Sequence, residues 1–280
     1  MQVNTGSMKM LSSLLEARTG QRMSEGRLWR IEMALDPILK AHNIASCDAL
    51  VGRLIEPGGD SLCRETTDAL LNNETYFFRD SDAFFDITKV IENIAQHRQE
   101  TKRIRIWSAG CSTGQEIYSL AMQFREDEAR WRGWSIELLG TDISRTAIDR
   151  ARLADYTQFE IQRGLPARLM LRWFEQNDGR WRIDGTLRKM VQFRHHNILE
   201  TPPPGRFDLV LCRNVLLYFP PANRSAALQN IATALAPDGG LTLGAGETVL
   251  GYTDRFEILP DARSLYRLSP DEPRQISSAA

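Results

Sequence analysis

The run IRIWSAGCSTGQEIYSLAMQF, residues 104–124, decides how this chain must be read. Ile104, Ile106 and Trp107 form a short β-rich entry into a Gly-Cys-Ser-Thr-Gly turn. Ile117, Leu120, Ala121 and Phe124 then fall on one helical face. Strand, glycine-bearing turn and helix together make the first βα unit of a nucleotide-binding sheet. Gly110 and Gly114 permit tight reversal and close approach of the backbone to a ligand. The turn is neither a G-x-G-x-x-G fingerprint nor a phosphate loop, because no Gly-Lys-Ser/Thr ends it.

Toward the C-terminus the strand–helix alternation continues, which implies an α/β fold with a parallel sheet. Trp134 to Thr141 reads as the second strand, with Asp142 at its tip. A carboxylate there can accept both hydrogen bonds of a ribose diol; it can equally cap the helix that begins at Ile143. Residues 155–188 break the rhythm. A short helix from Pro166 to Phe174, the hairpin turn Asn177-Asp178-Gly179 and a further turn at Asp184-Gly185 predict a small antiparallel insertion. Val191, Phe193 and His195 return to the sheet, and His195 and His196, without spaced ligand partners, read as structural or surface residues. Phe207 to Cys212 reads as a buried apolar strand ending in Arg213-Asn214, where ligands of open α/β sheets sit. A helix carrying Ala227 to Leu235 follows. Pro237 to Gly240 then turns into a strand from Leu241 to Ala245, and a hairpin closes the fold over Phe256 to Leu268.

Toward the N-terminus, residues 8 to about 95 carry only helical spacing. Leu11, Leu14 and Leu15 form one stripe; Leu28, Ile31, Leu35, Ile38 and Leu39 form another, which Pro37 bends or ends. Ser46 and Asp60 each look like the start of a capped helix. Asn73 to Asp80 (NETYFFRD) precedes a helix with Phe84, Ile87, Ile91 and Ile94. By residue type alone, Arg79 reads as a solvated charge at that helix's start.

Composition narrows the class. Basic and acidic residues balance, 35 against 36, so no global charge points to nucleic acid. Cys47, Cys63, Cys111 and Cys212 lie far apart with no C-x-x-C pair, which predicts reduced thiols and no metal site. The first twenty residues lack the apolar core of a secretory leader, and no stretch is long enough to span a bilayer. A cytoplasmic protein is the expectation.

Several of these stretches together resemble the bacterial chemotaxis receptor glutamate methyltransferases, the CheR family. The matching pieces are N-x-T-x-F-F-R at Asn73 to Arg79, W-S-A-x-x-S-T-G-x-E at Trp107 to Glu116, and T-D-I at Thr141 to Ile143. Asn197-Ile198, C-R-N-V-x-x-Y-F at Cys212 to Phe219 and L-x-P-D-G-G at Leu235 to Gly240 complete the set, in the family's order. The resemblance covers about residues 8–268. It implies a Rossmann-like class I methyltransferase sheet over residues 81–268, interrupted by the β insertion at about 155–188. An N-terminal helical domain over 8–80 would precede it, and a disordered tail over 269–280 would follow.

The resemblance further implies S-adenosylmethionine bound across the carboxyl edge of the sheet, with S-adenosylhomocysteine as product. Carried over by position, its ligands are Asn73, Thr75, Arg79, Glu116, Asp142, Asn197, Ile198, Arg213 and Asn214. Arg79 and Tyr218 are the implied catalytic residues, Arg79 steering the acceptor carboxylate and Tyr218 lining the site. The implied acceptor is a glutamate, ionised near neutral pH because its ordinary pKa is about 4.3. No general base is then needed. Glu116 has a second reading, because Thr113-x-x-Glu116 is also a helix capping box.

The chain departs from the family pattern in places. Gln115-Glu116-Ile117 stands where Glu-Glu-Pro is common, Ser144 where a second acid is common, and Gly244-Ala245-Gly246-Glu247 where Gly-His-Ser-Glu is usual. Family members dock the cytoplasmic helical region of receptors through a basic helix. Here Arg22, Arg27, Arg30 and Lys40 face Glu25, Glu32 and Asp36, a weak positive balance. The short hairpin at Asn177 to Gly179 predicts a protein that works without capturing a receptor's C-terminal peptide, and a monomer is the expectation. Three competing readings stay open. They are methylation of another protein or a small carboxylic acid, a non-catalytic cofactor-binding module, and a nicotinamide dehydrogenase.

Overall fold

A computed structural model describes residues 4–23, 31–259 and 264–270. Leu28 of the expected stripe, the charges Glu25, Arg27 and Arg30, and the tail from residue 271 lie outside the described residues.

Four helices open the chain: α1 (Thr5–Thr19), α2 (Ile31–Ala41), α3 (Cys47–Leu54) and α4 (Asp60–Leu70). Their apolar faces meet in one cluster built on Leu11, Ile31, Leu35, Leu50 and Leu62. Asn4 and Ser46 cap α1 and α3 through their side chains. Two local readings change. Pro37 does not end α2: the helix runs through it, because Pro37 and Met33, whose carbonyl loses its partner, lie on the exposed side. Asp60 is not a cap either; Gly59 holds that position and Asp60 sits in the first turn.

A long helix, α5 (Ser81–Gln96), then leads into the sheet. The strands and helices that follow are β1 (Arg103–Ala109), α6 (Gln115–Glu126), β2 (Ser135–Asp142), α7 (Arg145–Leu153), β3 (Asp155–Thr157), α8 (Gln158–Gln162) and α9 (Ala167–Trp173). Next come β4 (Phe174–Asn177), β5 (Arg180–Ile183), α10 (Gly185–Met190), β6 (Val191–His195), β7 (Phe207–Cys212), α11 (Pro221–Ala234), β8 (Leu235–Leu243), β9 (Phe256–Ile258) and β10 (Leu265–Leu268). Seven of these strands form one sheet in the order β6-β2-β1-β7-β8-β10-β9. All pairs are parallel except those made by β10. β1 is the centre from which the order reverses: the chain moves to one side through β2 and β6, and to the other through β7 and β8.

The core lies on both faces of this sheet. Ile104, Ile106, Leu209 and Leu211 point into one cluster with α5 and α6; Trp107, Val210 and Cys212 point into the other with α11. That alternation is the period of two expected of a strand. Each fully buried large side chain contributes about 1.5–3 kcal/mol. One interior position breaks the apolar reading of β7, since Asp208 is buried within it.

β3, β5 and β4 make the antiparallel insertion, with Asp178 and Gly179 at positive φ (47° and 74°) turning the hairpin. Asp184-Gly185 is not a second turn: Asp184 accepts from the backbone N–H of Thr186 and caps α10. Strand β8 starts earlier than expected, at Leu235, and residues 236–239 bulge out of its pairing with β7. The segment from α4 to α5 is fastened to the insertion by Phe77, fully buried, whose ring meets Tyr156 and Phe174 edge-on at 5.1 and 5.5 Å.

Candidate active site

In an open α/β sheet, ligands sit at the carboxyl ends of the strands where the order reverses. Here the reversal is at β1, between β2 and β7, and a cleft opens there. Asn73, Thr75, Arg79, Glu116, Asp142, Asn197, Ile198, Arg213, Asn214 and Tyr218 all line this one cleft. They come from the α4–α5 segment, the first turn of α6, the tip of β2, the residues after β6 and the loop after β7.

The turn after β1 is set by sterics. Gly110 has φ 84°, and a Cβ there would stand 2.4 Å from Cγ2 of Val215, so only glycine lets the loop after β7 come this close. The N–H groups of Gly110 and Cys111 donate to the Thr141 carbonyl at 2.8 and 2.9 Å, tying the turn to the end of β2. Asp142 is buried there. Its two carboxylate oxygens accept from the backbone N–H of Ser112 (2.8 Å) and of Ser144 (2.9 Å). Burial raises its pKa, and these N–H donors pull the other way. Asp142 does not cap α7. Ser144 does, accepting from the Ala147 N–H at 3.0 Å, because the chain needs two more residues to turn into the helix.

Glu116 is not part of a capping box. Gly114, at φ 93°, takes the cap position, so Glu116 falls one residue short of the place a box requires. Its carboxylate accepts instead from the Ser108 hydroxyl (2.8 Å) and the Arg213 guanidinium (3.0 Å). Arg213 has a side chain only 1% exposed and also donates to the Arg79 carbonyl (2.7 Å) and to Asp80 (2.9 Å). A buried arginine between two carboxylates is thus electrically satisfied while joining the sheet to the α4–α5 segment.

Arg79 is held in an unusual stretch of backbone. Phe78 and Asp80, on either side, both have positive φ (52° and 56°), each costing about 1–2 kcal/mol in a residue with a Cβ. The stretch persists because it is fixed from several directions: Ser119 accepts from the Phe78 N–H at 3.0 Å and Ser112 donates to the Asn73 carbonyl at 2.7 Å. Arg79 is half-buried rather than fully solvated, donates to the Glu74 carbonyl at 2.9 Å and lies 5.5 Å from the ring centre of Tyr76. Across the cleft, the Asn72 amide donates to the Tyr218 hydroxyl.

His196 belongs to the cleft, against the reading that set it aside with His195. Its ring packs 6.1 Å from Trp107, its Nε2 is buried without a hydrogen-bond partner among the described residues, and burial lowers its pKa, favouring the neutral ring. Its place directly before Asn197 at the end of β6 was the available signal. Thr19 and Gln21, at the end of α1, also reach the cleft, which no sequence motif announces. Among the described residues no group of three or more His, Cys, Asp and Glu is arranged to hold a metal, and no helix is long and apolar enough to cross a membrane.

The strand order and the carboxylate at the tip of the second strand agree with a class I methyltransferase, the class to which the family match assigns the chain. The family model for the CheR methyltransferase, SAM-binding domain, matches residues 73–264. A chemotaxis protein methyltransferase of Vibrio anguillarum is 34% identical over 253 residues, covering 89% of this chain and 91% of that one. Chemotaxis protein methyltransferase 1 of Vibrio cholerae is 34% identical over 250 residues (88% and 90%), and a chemotaxis protein methyltransferase of Borreliella burgdorferi 32% over 248 (86% and 87%). The chain belongs to the CheR methyltransferase family, whose cofactor is S-adenosylmethionine.

Proposed function

We propose that this protein transfers the methyl group of S-adenosylmethionine to glutamate side chains in the cytoplasmic helical region of chemotaxis-type receptors, forming methyl esters. The observation that carries this reading is the convergence of five separate stretches of chain on one cleft at the sheet's reversal point. The donor set fits the cofactor. Asp142 keeps a lone pair on each oxygen for the ribose hydroxyls, beyond the backbone N–H that each already accepts. Asn214 brings a buried Oδ1 with no partner among the described residues. Asn197 and Ile198 offer a polar edge and an apolar face for the adenine. Asn73 and Thr75 close the cleft from the α4–α5 segment. Glu116 faces the positive end of the cofactor, with Arg213 fixing its direction.

The bound cofactor supplies an electrophilic methyl on a sulfonium. What remains for the chain is alignment and the exclusion of water while opposite charges neutralise. Arg79 attracts the incoming carboxylate, and the Tyr218 hydroxyl, held by Asn72, borders its path. The acceptor arrives ionised, so the site needs no proton acceptor. We assign residues 8–80 to a receptor-facing helical domain and 81–268 to the catalytic domain, with the insertion at 155–188, and place the reaction in the cytoplasm. We take the protein to act as a monomer, and the two-residue turn of the β4–β5 hairpin supports its working without a peptide tether. Tight binding of a receptor's C-terminal peptide would refute that last part.

The test is transfer of label from methyl-labelled S-adenosylmethionine to receptor-containing membranes, followed by mild alkali. Label released as volatile methanol is the expected result. Label that resists alkali means a nitrogen acceptor and overturns the reading.

A further inference from the structure

The motif Gly244-Ala245-Gly246-Glu247 follows β8 and lies outside the cleft lining. Its carboxylate nevertheless collects four backbone donors. Oε2 accepts from the N–H of Asn214 (2.6 Å) and of Gly244 (2.8 Å). Oε1 accepts from the N–H of Val215 (2.9 Å) and of Leu217 (3.2 Å). Three of these donors belong to the loop after β7. Asn214 is there at φ 60°, and Leu216–Tyr218 forms one turn of 3₁₀ helix. A left-handed residue followed by a helical turn aims successive N–H groups into one concavity, a ready anion site. Here the chain's own carboxylate fills it. Gly244 makes the room: a Cβ on it would lie 2.8 Å from Oε2 of Glu247 and 2.9 Å from the Asn214 nitrogen.

We infer that Glu247 is a positioning residue for the methyl-transfer site, setting Tyr218 through the backbone of the loop it binds. The inference rests on the proposed role of Tyr218 at the acceptor end of the cleft. Asn214 stands two residues past the end of the β7–β8 ladder, which runs to Cys212, so the strand anchors it more closely than it anchors Tyr218. Tyr218 lies four residues further on and has no strand pairing; Asn72 holds its hydroxyl and the Arg22 N–H its carbonyl, and the start of the turn sets the direction in which its backbone enters. Charge-assisted bonds to four amides hold that start more firmly than neutral acceptors would. Replacement by glutamine keeps the shape but turns an amide NH₂ toward two of the four N–H donors. Shape alone therefore does not rescue the site.

The experiment is a double-mutant cycle of Glu247→Gln and Tyr218→Phe. It uses the full chain, labelled S-adenosylmethionine and receptor-containing membranes, with S-adenosylhomocysteine affinity measured separately by calorimetry. Glu247→Gln is expected to lower turnover by about 100-fold, the effect of roughly a 1 Å misplacement, and to change S-adenosylhomocysteine affinity by less than about threefold. In the Tyr218→Phe background the same change is expected to add little. An impaired Tyr218→Phe with a fully additive Glu247→Gln, or a Glu247→Gln that loses turnover and affinity equally, overturns the positioning role alone. A fully active Tyr218→Phe overturns the acceptor-site reading and the inference with it. A cooperative thermal unfolding transition like that of the parent chain shows that each variant is folded; should Glu247→Gln lack one, Gly244→Ala crowds the same carboxylate and is read by the same criteria.

Discussion

The two ends of the parallel sheet treat buried polar groups in opposite ways. At the amino end, the buried carboxylate of Asp208 accepts from Arg98 Nε (3.0 Å) and from the Arg105 N–H (2.8 Å). Arg98 also grips Asp238 through both terminal nitrogens, at 2.8 and 2.6 Å. All three guanidinium nitrogens of Arg98 meet acceptors supplied by the chain. At the carboxyl end, Asn214 Oδ1, Arg213 Nε and His196 Nε2 are buried without hydrogen-bond partners among the described residues, and Phe78, Asp80, Ser112 and Asn214 hold positive φ. A buried polar atom left unpaired costs about 1–3 kcal/mol. One end closes the fold; the other keeps polar capacity and backbone strain in reserve for a ligand.

That contrast can be broken by substitution. The largest effect is expected at the carboxyl end. Arg79→Ala should lower turnover by about 10³-fold while weakening S-adenosylhomocysteine binding far less, because it removes the group that orients the acceptor carboxylate for in-line attack. Equal losses in both would put Arg79 among ordinary cofactor ligands. Next, Asp142→Ala should weaken S-adenosylhomocysteine by about 100-fold in calorimetry, from lost charge-assisted bonds to the ribose. An unchanged affinity would remove Asp142 from the cofactor site.

At the amino end the expected losses are of stability alone. Arg98→Ala leaves Asp208 with the Arg105 N–H as its remaining donor and should destabilise by about 2 kcal/mol in urea unfolding, discounted because Arg98 is partly exposed. Its S-adenosylhomocysteine affinity should not move; a parallel loss would mean the two ends are coupled. The smallest effect is at Asp238. The hydrogen bond from Arg98 holds its carboxyl below the ordinary 3.8. A depressed acid contributes stability that is complete above pH 3.8 and is lost as the pH falls through its folded-state value. Asp238→Asn should therefore destabilise by under about 1 kcal/mol near neutral pH, and the difference should vanish in strong acid. A difference that persists there would trace to packing.

Sequence periodicity and turn chemistry were enough to read the architecture. The βα unit at residues 104–124, the alternation after it, the Asp178-Gly179 hairpin and the helical opening all rest on local rules, because strand and helix periods are written in successive side chains. The motif resemblance also picked out ten residues that the fold gathers into one cleft. Local pattern misread what long-range partners decide. The Thr113–Glu116 spacing suggested a capping box, but Arg213, 97 residues away, claims the carboxylate. Asp142 looked like a cap until the Ser112 N–H, 30 residues upstream, took one of its oxygens.

The sequence by itself determined the class of fold and which residue types stand at each strand end. Those depend on period, turn residues and order along the chain. The tertiary structure alone decided that His196 joins the cleft, that Asp208 is a tied and buried charge, and that Glu247 binds a loop 30 residues before it. Such roles depend on which distant N–H groups converge on a side chain, and convergence is a property of packing rather than of spacing.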